Sequence, residues 1–201
     1  PYYTSADWFE DGRPVRLPKP FYSSTFIVDQ MVSYLAADQN EEAPFFAYLA
    51  FLAIHIPVQA PAEVTARYEG AFDAGWDVMR QARFERAKAL GLIPESAGLA
   101  PAPASLRPWD GLSAKDRALY AKSMAVQAAM LETMDTEIGR LITELETNGQ
   151  FENTIFVVTS DNGPEPTHPI GEPGFTQWMA LNGYDHNLET LGERGSMVFI
   201  G

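Results

Sequence analysis

Two short stretches of this chain carry side chains that could do chemistry. Asp161-Asn162-Gly163 follows the β-branched run Thr154-Ile155-Phe156-Val157-Val158-Thr159-Ser160. A carboxylate beside an amide carbonyl offers two hard oxygen donors, the kind that suits Ca²⁺ or Mg²⁺, and Gly163 lets the backbone turn directly after them. The same tripeptide is also an ordinary turn sequence, so its residues alone leave a turn and a metal site both open. His55 follows the apolar run Phe45–Phe51. An imidazole there could donate to an anionic substrate or protonate a leaving group; it could equally be a hydrogen-bonded structural histidine. His168 and His186 fall in stretches expected to be exposed loops.

These positions need elements to hold them. Pro44–Phe51 is short, aromatic and bounded by proline, which predicts a buried strand ending just before Ile54-His55-Ile56-Pro57. Residues 154–160 are apolar on both faces, which predicts an interior parallel strand whose carboxyl end presents Asp161 and Asn162. Open α/β sheets bind ligands at such strand ends. Before it, Ser113 with Asp116 three residues on is an N-cap with an acid in the first turn. Gln127, Leu131, Met134, Ile138, Leu141 and Leu145 then step by three and four, predicting one long helix that closes near Gly149. Met130 and Met134 read as packing filler on it. A helix followed by a central strand places the chain in the α/β class.

The remaining stretches are less regular. The opening through Pro20 is rich in proline, tyrosine and turn formers and is expected to be irregular. Ile27, Met31, Tyr34 and Leu35 predict a helix from Ser24 to about Ala37. Residues 62–91 read as surface helical pieces closing at Gly91, and 94–108 as a linker-like excursion. A strand is expected over Ser196–Ile200. No internal repeat is present.

Composition narrows the function class. The 201 residues are 46% apolar and 12% aromatic, which is enough to build a core. Asp and Glu number 27 against 14 Lys and Arg, for a formal charge of −13, which argues against a nucleic-acid partner. No apolar run approaches the roughly 20 residues that span a bilayer, so no membrane association is expected. There is no cysteine, which excludes disulfides and thiolate chemistry within these residues and leaves the redox compartment open.

Taken together and in order, several pieces resemble the type I sulfatase family of the alkaline phosphatase superfamily, the bacterial arylsulfatases above all. They are Asp11-Gly12 through Phe21-Tyr22-Ser23-Ser24 with Asp29, and Phe45–Phe51 with His55-Ile56-Pro57 and Gln59-Ala60-Pro61. Tyr120 through Asp135, Ile138-Gly139-Arg140 and Thr159–Gly163 follow, then Gly183-Tyr184-Asp185 through Leu188-Glu189. The resemblance implies the central part of an alkaline-phosphatase-like mixed sheet flanked by helices, with 1–201 as one segment of a catalytic domain. It implies Asp161 and Asn162 as two of four protein ligands to Ca²⁺, in preference to Mg²⁺. Asp161 would also help deprotonate a formylglycine hydrate for attack on sulfur. His55 would contact the sulfate ester and assist departure of the alcohol or phenol.

The family's C/S-x-P-x-R motif, from which the formylglycine is made, does not occur in these residues, nor does its paired Asp-Asp. The chain therefore reads as an interior fragment, inactive alone, of a sulfuric ester hydrolase acting on a small-molecule sulfate ester. Two other readings stay open: a phosphodiesterase or phosphonate hydrolase of the same superfamily, and a catalytically dead sulfatase-like binding module. The compartment, periplasmic or cytoplasmic, is not legible here.

Overall fold

The computed structural model describes residues 7–37, 43–163 and 172–198. Its organising element is the helix Ala114–Thr147 (34 residues), about 51 Å long at 1.5 Å per residue. Ser113 caps it as expected, its Oγ accepting from the Asp116 amide at 3.1 Å. Among the described residues the α-helices in chain order are α1 Ser23–Ala37, α2 Ala62–Thr65, α3 Gly75–Ala89, α4 Ala114–Thr147 and α5 Pro173–Leu181.

Helix α4 meets a different neighbour along each third of its length. Near its start, Ala121 and Ala125 pack with Phe72, Trp109 and Leu112. In the middle, Val126 and Met130 pack with Val58, Leu191 and Val198. Near its end, Leu141 and Leu145 pack with Val28 of α1. This explains the departure from the single stripe that the spacing predicts: Leu141 and Leu145 are buried, but Leu131 is half exposed. With partners on several sides, the buried face shifts to Val126, Ala129 and Met130.

Polar contacts fix α1 against α4. Thr25 Oγ1 donates to Glu137 Oε1 at 2.7 Å, and Arg140 Nη2 donates to Asp29 Oδ1 at 2.7 Å. Partial burial alone would lower the Arg140 pKa, but hydrogen bonds to Glu137 and Asp29 outweigh it and raise the value. The surface pieces expected over 62–91 are α2, a 3₁₀ turn at Ala66–Tyr68, and α3. Gly75 opens α3 at φ +83°, where a Cβ would lie 2.2 Å from the Trp109 ring. Only glycine admits both that backbone and that ring.

Two expectations for strands are corrected. The opening, expected to be irregular, contains a hairpin: β1 (Trp8–Glu10) pairs antiparallel with β2 (Arg13–Val15) about Asp11-Gly12. Asp-Gly between two extended runs is a hairpin signal, and Trp8 adds edge-on ring contacts with Phe21 and Phe26 at 5.4 and 5.8 Å. Conversely, 44–51 and 154–160 are extended but belong to no sheet, and neither is buried. Phe46 is 95% exposed and Ile155 91%. A strand is defined by its ladder, and among the described residues neither run has a neighbouring strand. The only sheet described is the β1–β2 hairpin, so the mixed sheet is not seen. Of the closing strand, Met197 and Val198 are buried and Ser196 makes a single parallel bridge to Asp185; residues 199–200 lie outside the described residues. No described helix is long and apolar enough to cross a membrane.

Candidate functional site

Each candidate side chain sits where an extended apolar run ends. The runs share a root: Leu49, Phe51 and Phe151 all pack on the Val28–Leu141–Leu145 cluster, and the Phe151 ring lies 5.8 Å from that of Phe156. His55 lies four residues beyond Phe51 and Asp161 ten residues beyond Phe151.

The His55 arm is held along its length. The His55 amide donates to Leu52 O at 2.8 Å, turning the chain out of the run. Pro57 and Val58, just beyond, are fully buried, with Ala53, Ile56 and Ala60 packed around the same cluster. The ring itself is exposed, and its Nδ1 lies 2.6 Å from Ile56 O. A carbonyl can only accept, so Nδ1 carries the proton and donates, which leaves Nε2 uncommitted by this bond. Neutral His55 thus offers a lone pair at Nε2, and protonated His55 offers a proton there.

A loop from Gly183 to Val198 braces this arm from the side. Gln59 bridges to Gly192 in parallel, with the Ala60 amide donating to Gly192 O at 3.2 Å. Gly192 has φ +98°, and a Cβ there would come within 2.9 Å of Val126 Cγ2, so the close approach of loop to α4 depends on glycine. Asp185 Oδ1 accepts from the Asn187 amide at 3.0 Å and from Thr190 Oγ1. Lys122 Nζ donates to Leu188 O at 2.6 Å and Glu189 O at 3.2 Å, tying the loop to α4. Lys122 did not emerge from the sequence. Its signal was weak: one cation in a run, 121–126, that is otherwise small or apolar and mostly buried.

Among the described residues, the Asp161–Asn162 arm is organised by local hydrogen bonds. Ser160 Oγ donates to Asn162 O at 2.7 Å, and Asn162 Nδ2 donates to Gly163 O at 2.7 Å. Asn162 therefore uses its donor on the chain and keeps Oδ1 available. Asp161 is exposed, and among the described residues its carboxylate has no hydrogen-bond partner. These two oxygens suit a hard divalent cation in kind, and they supply two of the six to eight that Ca²⁺ takes. Among the described residues no group of three or more His, Asp or Glu gathers to complete such a site. No described hydrogen bond or ion pair joins His55 to Asp161 or Asn162. His186 lies exposed in the bracing loop, and His168 lies outside the described residues.

Comparison with known proteins gives this geometry a family. The model of the family described as Sulfatase matches residues 2–190. The chain is 37% identical over 186 residues to an uncharacterized sulfatase of Schizosaccharomyces pombe, covering 91% of this chain and 33% of that protein. It is 36% identical over 200 residues to an arylsulfatase of Klebsiella aerogenes, covering 100% of this chain and 41% of the relative. A multifunctional alkaline phosphatase superfamily protein of Trinickia caryophylli is 25% identical over 166 residues, or 81% of this chain and 32% of its own. The chain thus spans about a third to two fifths of the length of these curated relatives. With a family match over nearly all of its residues, the chain belongs to the sulfatase family.

Proposed function

We propose that this chain serves a sulfuric ester hydrolase that cleaves a small-molecule sulfate ester to sulfate and an alcohol or phenol. The observation that carries the reading is the pairing of two arms on one root, His55 on one and Asp161-Asn162 on the other, inside a sulfatase match that spans both. The likeness to an arylsulfatase over the full chain supports it.

In this reading Asp161 and Asn162 would hold Ca²⁺, with Mg²⁺ as the lesser candidate. When bound, the cation supplies positive charge that gathers the sulfate oxygens. Asp161 would also take a proton from the attacking hydroxyl. His55, with Nδ1–H committed to Ile56 O, acts through Nε2. Protonated, it donates to the departing oxygen as the S–O bond breaks, so that an alcohol or phenol leaves rather than its anion. The nucleophile belongs outside these 201 residues, which contain no C/S-x-P-x-R from which a formylglycine could form.

The test is turnover of matched aryl sulfate and aryl phosphate esters by the full-length protein and by this chain alone. The full-length protein is expected to favour the sulfate and to lose activity on chelation of divalent cations. The 201-residue chain is expected to show no saturable hydrolysis and only weak Ca²⁺ binding by calorimetry. Preference for the phosphate would move the assignment to phosphodiester or phosphonate chemistry. No turnover of either, with no formylglycine found by mass spectrometry, would leave a binding module.

A further inference from the structure

A pocket of about 40 Å³ adjoins the His55 arm at Ala53 and Gln59. Tyr22, Ser23 and Ser24 at the start of α1 line one side; Ala53 and Gln59, which bracket His55 in sequence, line another; Met130 of α4 contributes as well. Ser24 is 1% exposed, yet its Oγ has no hydrogen-bond partner among the described residues. A buried hydroxyl in that condition is unusual and costly. The pocket also receives the first turn of a 15-residue helix. The first backbone bond of that helix is from the Phe26 amide to Tyr22 O at 2.9 Å, so the amides of Ser23, Ser24 and Thr25 have no acceptor within the helix.

The lining decides what can satisfy these groups. Among the described residues it contains no Lys or Arg to offset a buried anion and no carboxylate to hold a cation. An apolar guest would leave the hydroxyl as it is. Water fits: the space exceeds the roughly 10–15 Å³ that one molecule needs, and the site offers several donors and acceptors. Gln59 supplies the facing group. Its backbone oxygen already accepts from Tyr22 Oη at 3.2 Å, and its Nε2 reaches Ser196 O only at 3.5 Å, leaving Oε1 for a bridging water.

We infer that this pocket holds ordered water linking Ser24 and the start of α1 to the His55 arm at Gln59, and that Ser24 is thereby a positioning residue for His55. The water link itself stands on the geometry; its relevance to catalysis rests on the function proposed above.

The sign of a substitution tests it. If the hydroxyl were dry and unsatisfied, Ser24→Ala would remove a penalty and leave the melting temperature equal or higher. If water satisfies it, the alanine strands that water, and the full-length protein is expected to melt at least about 2 °C lower. Ser24→Thr against Ser24→Val repeats the comparison at matched size, with threonine the more stable. Should either β-branched variant fail to fold, the Ser/Ala pair and a nuclear Overhauser contact between long-lived water and the Ser24 amide still decide. Equal or raised melting for alanine, or no such contact, overturns the water link.

The positioning role is read from the His55 ring nitrogens by ¹⁵N NMR. In Ser24→Ala the Nδ1 signal is expected to shift as its bond to Ile56 O loosens, with Ser24→Thr restoring it. Lower melting with an unmoved His55 signal overturns that role. A wild-type protein that hydrolyses no sulfate ester, yet shows the melting and NMR effects, sinks the functional proposal and leaves this one standing.

Discussion

The two arms of the candidate site begin alike and end differently. Both follow a run of about seven apolar or β-branched residues, and both runs touch the Val28–Leu141–Leu145 cluster, the first at its end through Leu49 and Phe51, the second just before its start through Phe151. Beyond that root the His55 arm enters a core: Val58 is 0% exposed, Gly192 bridges to Gln59, and α4 and the 183–198 loop close on it from two sides. The other arm leaves the core. Val157 and Val158 are each 83% exposed, and among the described residues Asp161 and Asn162 stand at its end with only their own neighbours to order them. The two runs are alike in exposure, Phe46 at 95% and Val157 at 83%, yet among the described residues those after the first run are supported and those after the second are not. What differs is whether a neighbouring segment within these residues can close against them.

That contrast predicts an unequal response to mutation. The largest effect is expected at Gly192→Ala, which forces a side chain into φ +98° and brings it within 2.9 Å of Val126. A loss of about 2–4 kcal/mol is expected from backbone strain and overpacking together. Chemical denaturation would measure it, and faster hydrogen exchange at the Ala60 amide would locate the damage in the His55 arm. Wild-type stability and exchange would mean that the loop does not brace the arm. Next is Lys122→Met, which keeps the stem but removes the donors to Leu188 O and Glu189 O. It should cost about 1.5–3 kcal/mol, the range for hydrogen bonds that involve a charged group. Ser113→Ala, remote from both arms, should cost about 1 kcal/mol through loss of the α4 cap alone and leave Ala60 exchange unchanged.

The parts of the molecule that were legible in the sequence are those whose signal is local. Ser113 and Asp116 announce the start of α4 because a cap is settled within four residues, and the spacing of Ile27, Met31 and Leu35 announces α1 for a similar reason. His55, Asp161 and Asn162 stood out because polar chemistry directly follows apolar runs. The failures involve partners far away in the chain. The runs at 44–51 and 154–160 have strand composition, but a ladder also needs a neighbour, and composition cannot report whether one is present. The stripe on α4 was misjudged because Val126 and Met130 are buried by Val58 and Leu191, 61–72 residues away, which no helical period can foresee. Lys122 was missed for the same reason, since its acceptors lie 66 and 67 residues further on. The Asp11-Gly12 hairpin was the opposite kind of miss: a legible local signal hidden among prolines.

The smallest effect is also the most informative about the unsupported arm. Val157→Thr removes a methyl group and adds a hydroxyl at a position that is 83% exposed in this chain. Where water surrounds the side chain, the change should lie within about 0.5 kcal/mol of zero. At a buried site the hydroxyl would need a partner, and the cost would rise above about 1 kcal/mol. Denaturation of the 201-residue chain at two protein concentrations separates the cases. A negligible change at both would confirm that the run is bare and that the arms differ as described. A substantial loss at both would mean that 154–160 is covered within one chain, and the contrast between the arms would fall. A loss that grows with concentration would show copies pairing along the run. Its backbone N–H and C=O groups have no ladder partner among the described residues, which makes it a ready edge for a second strand.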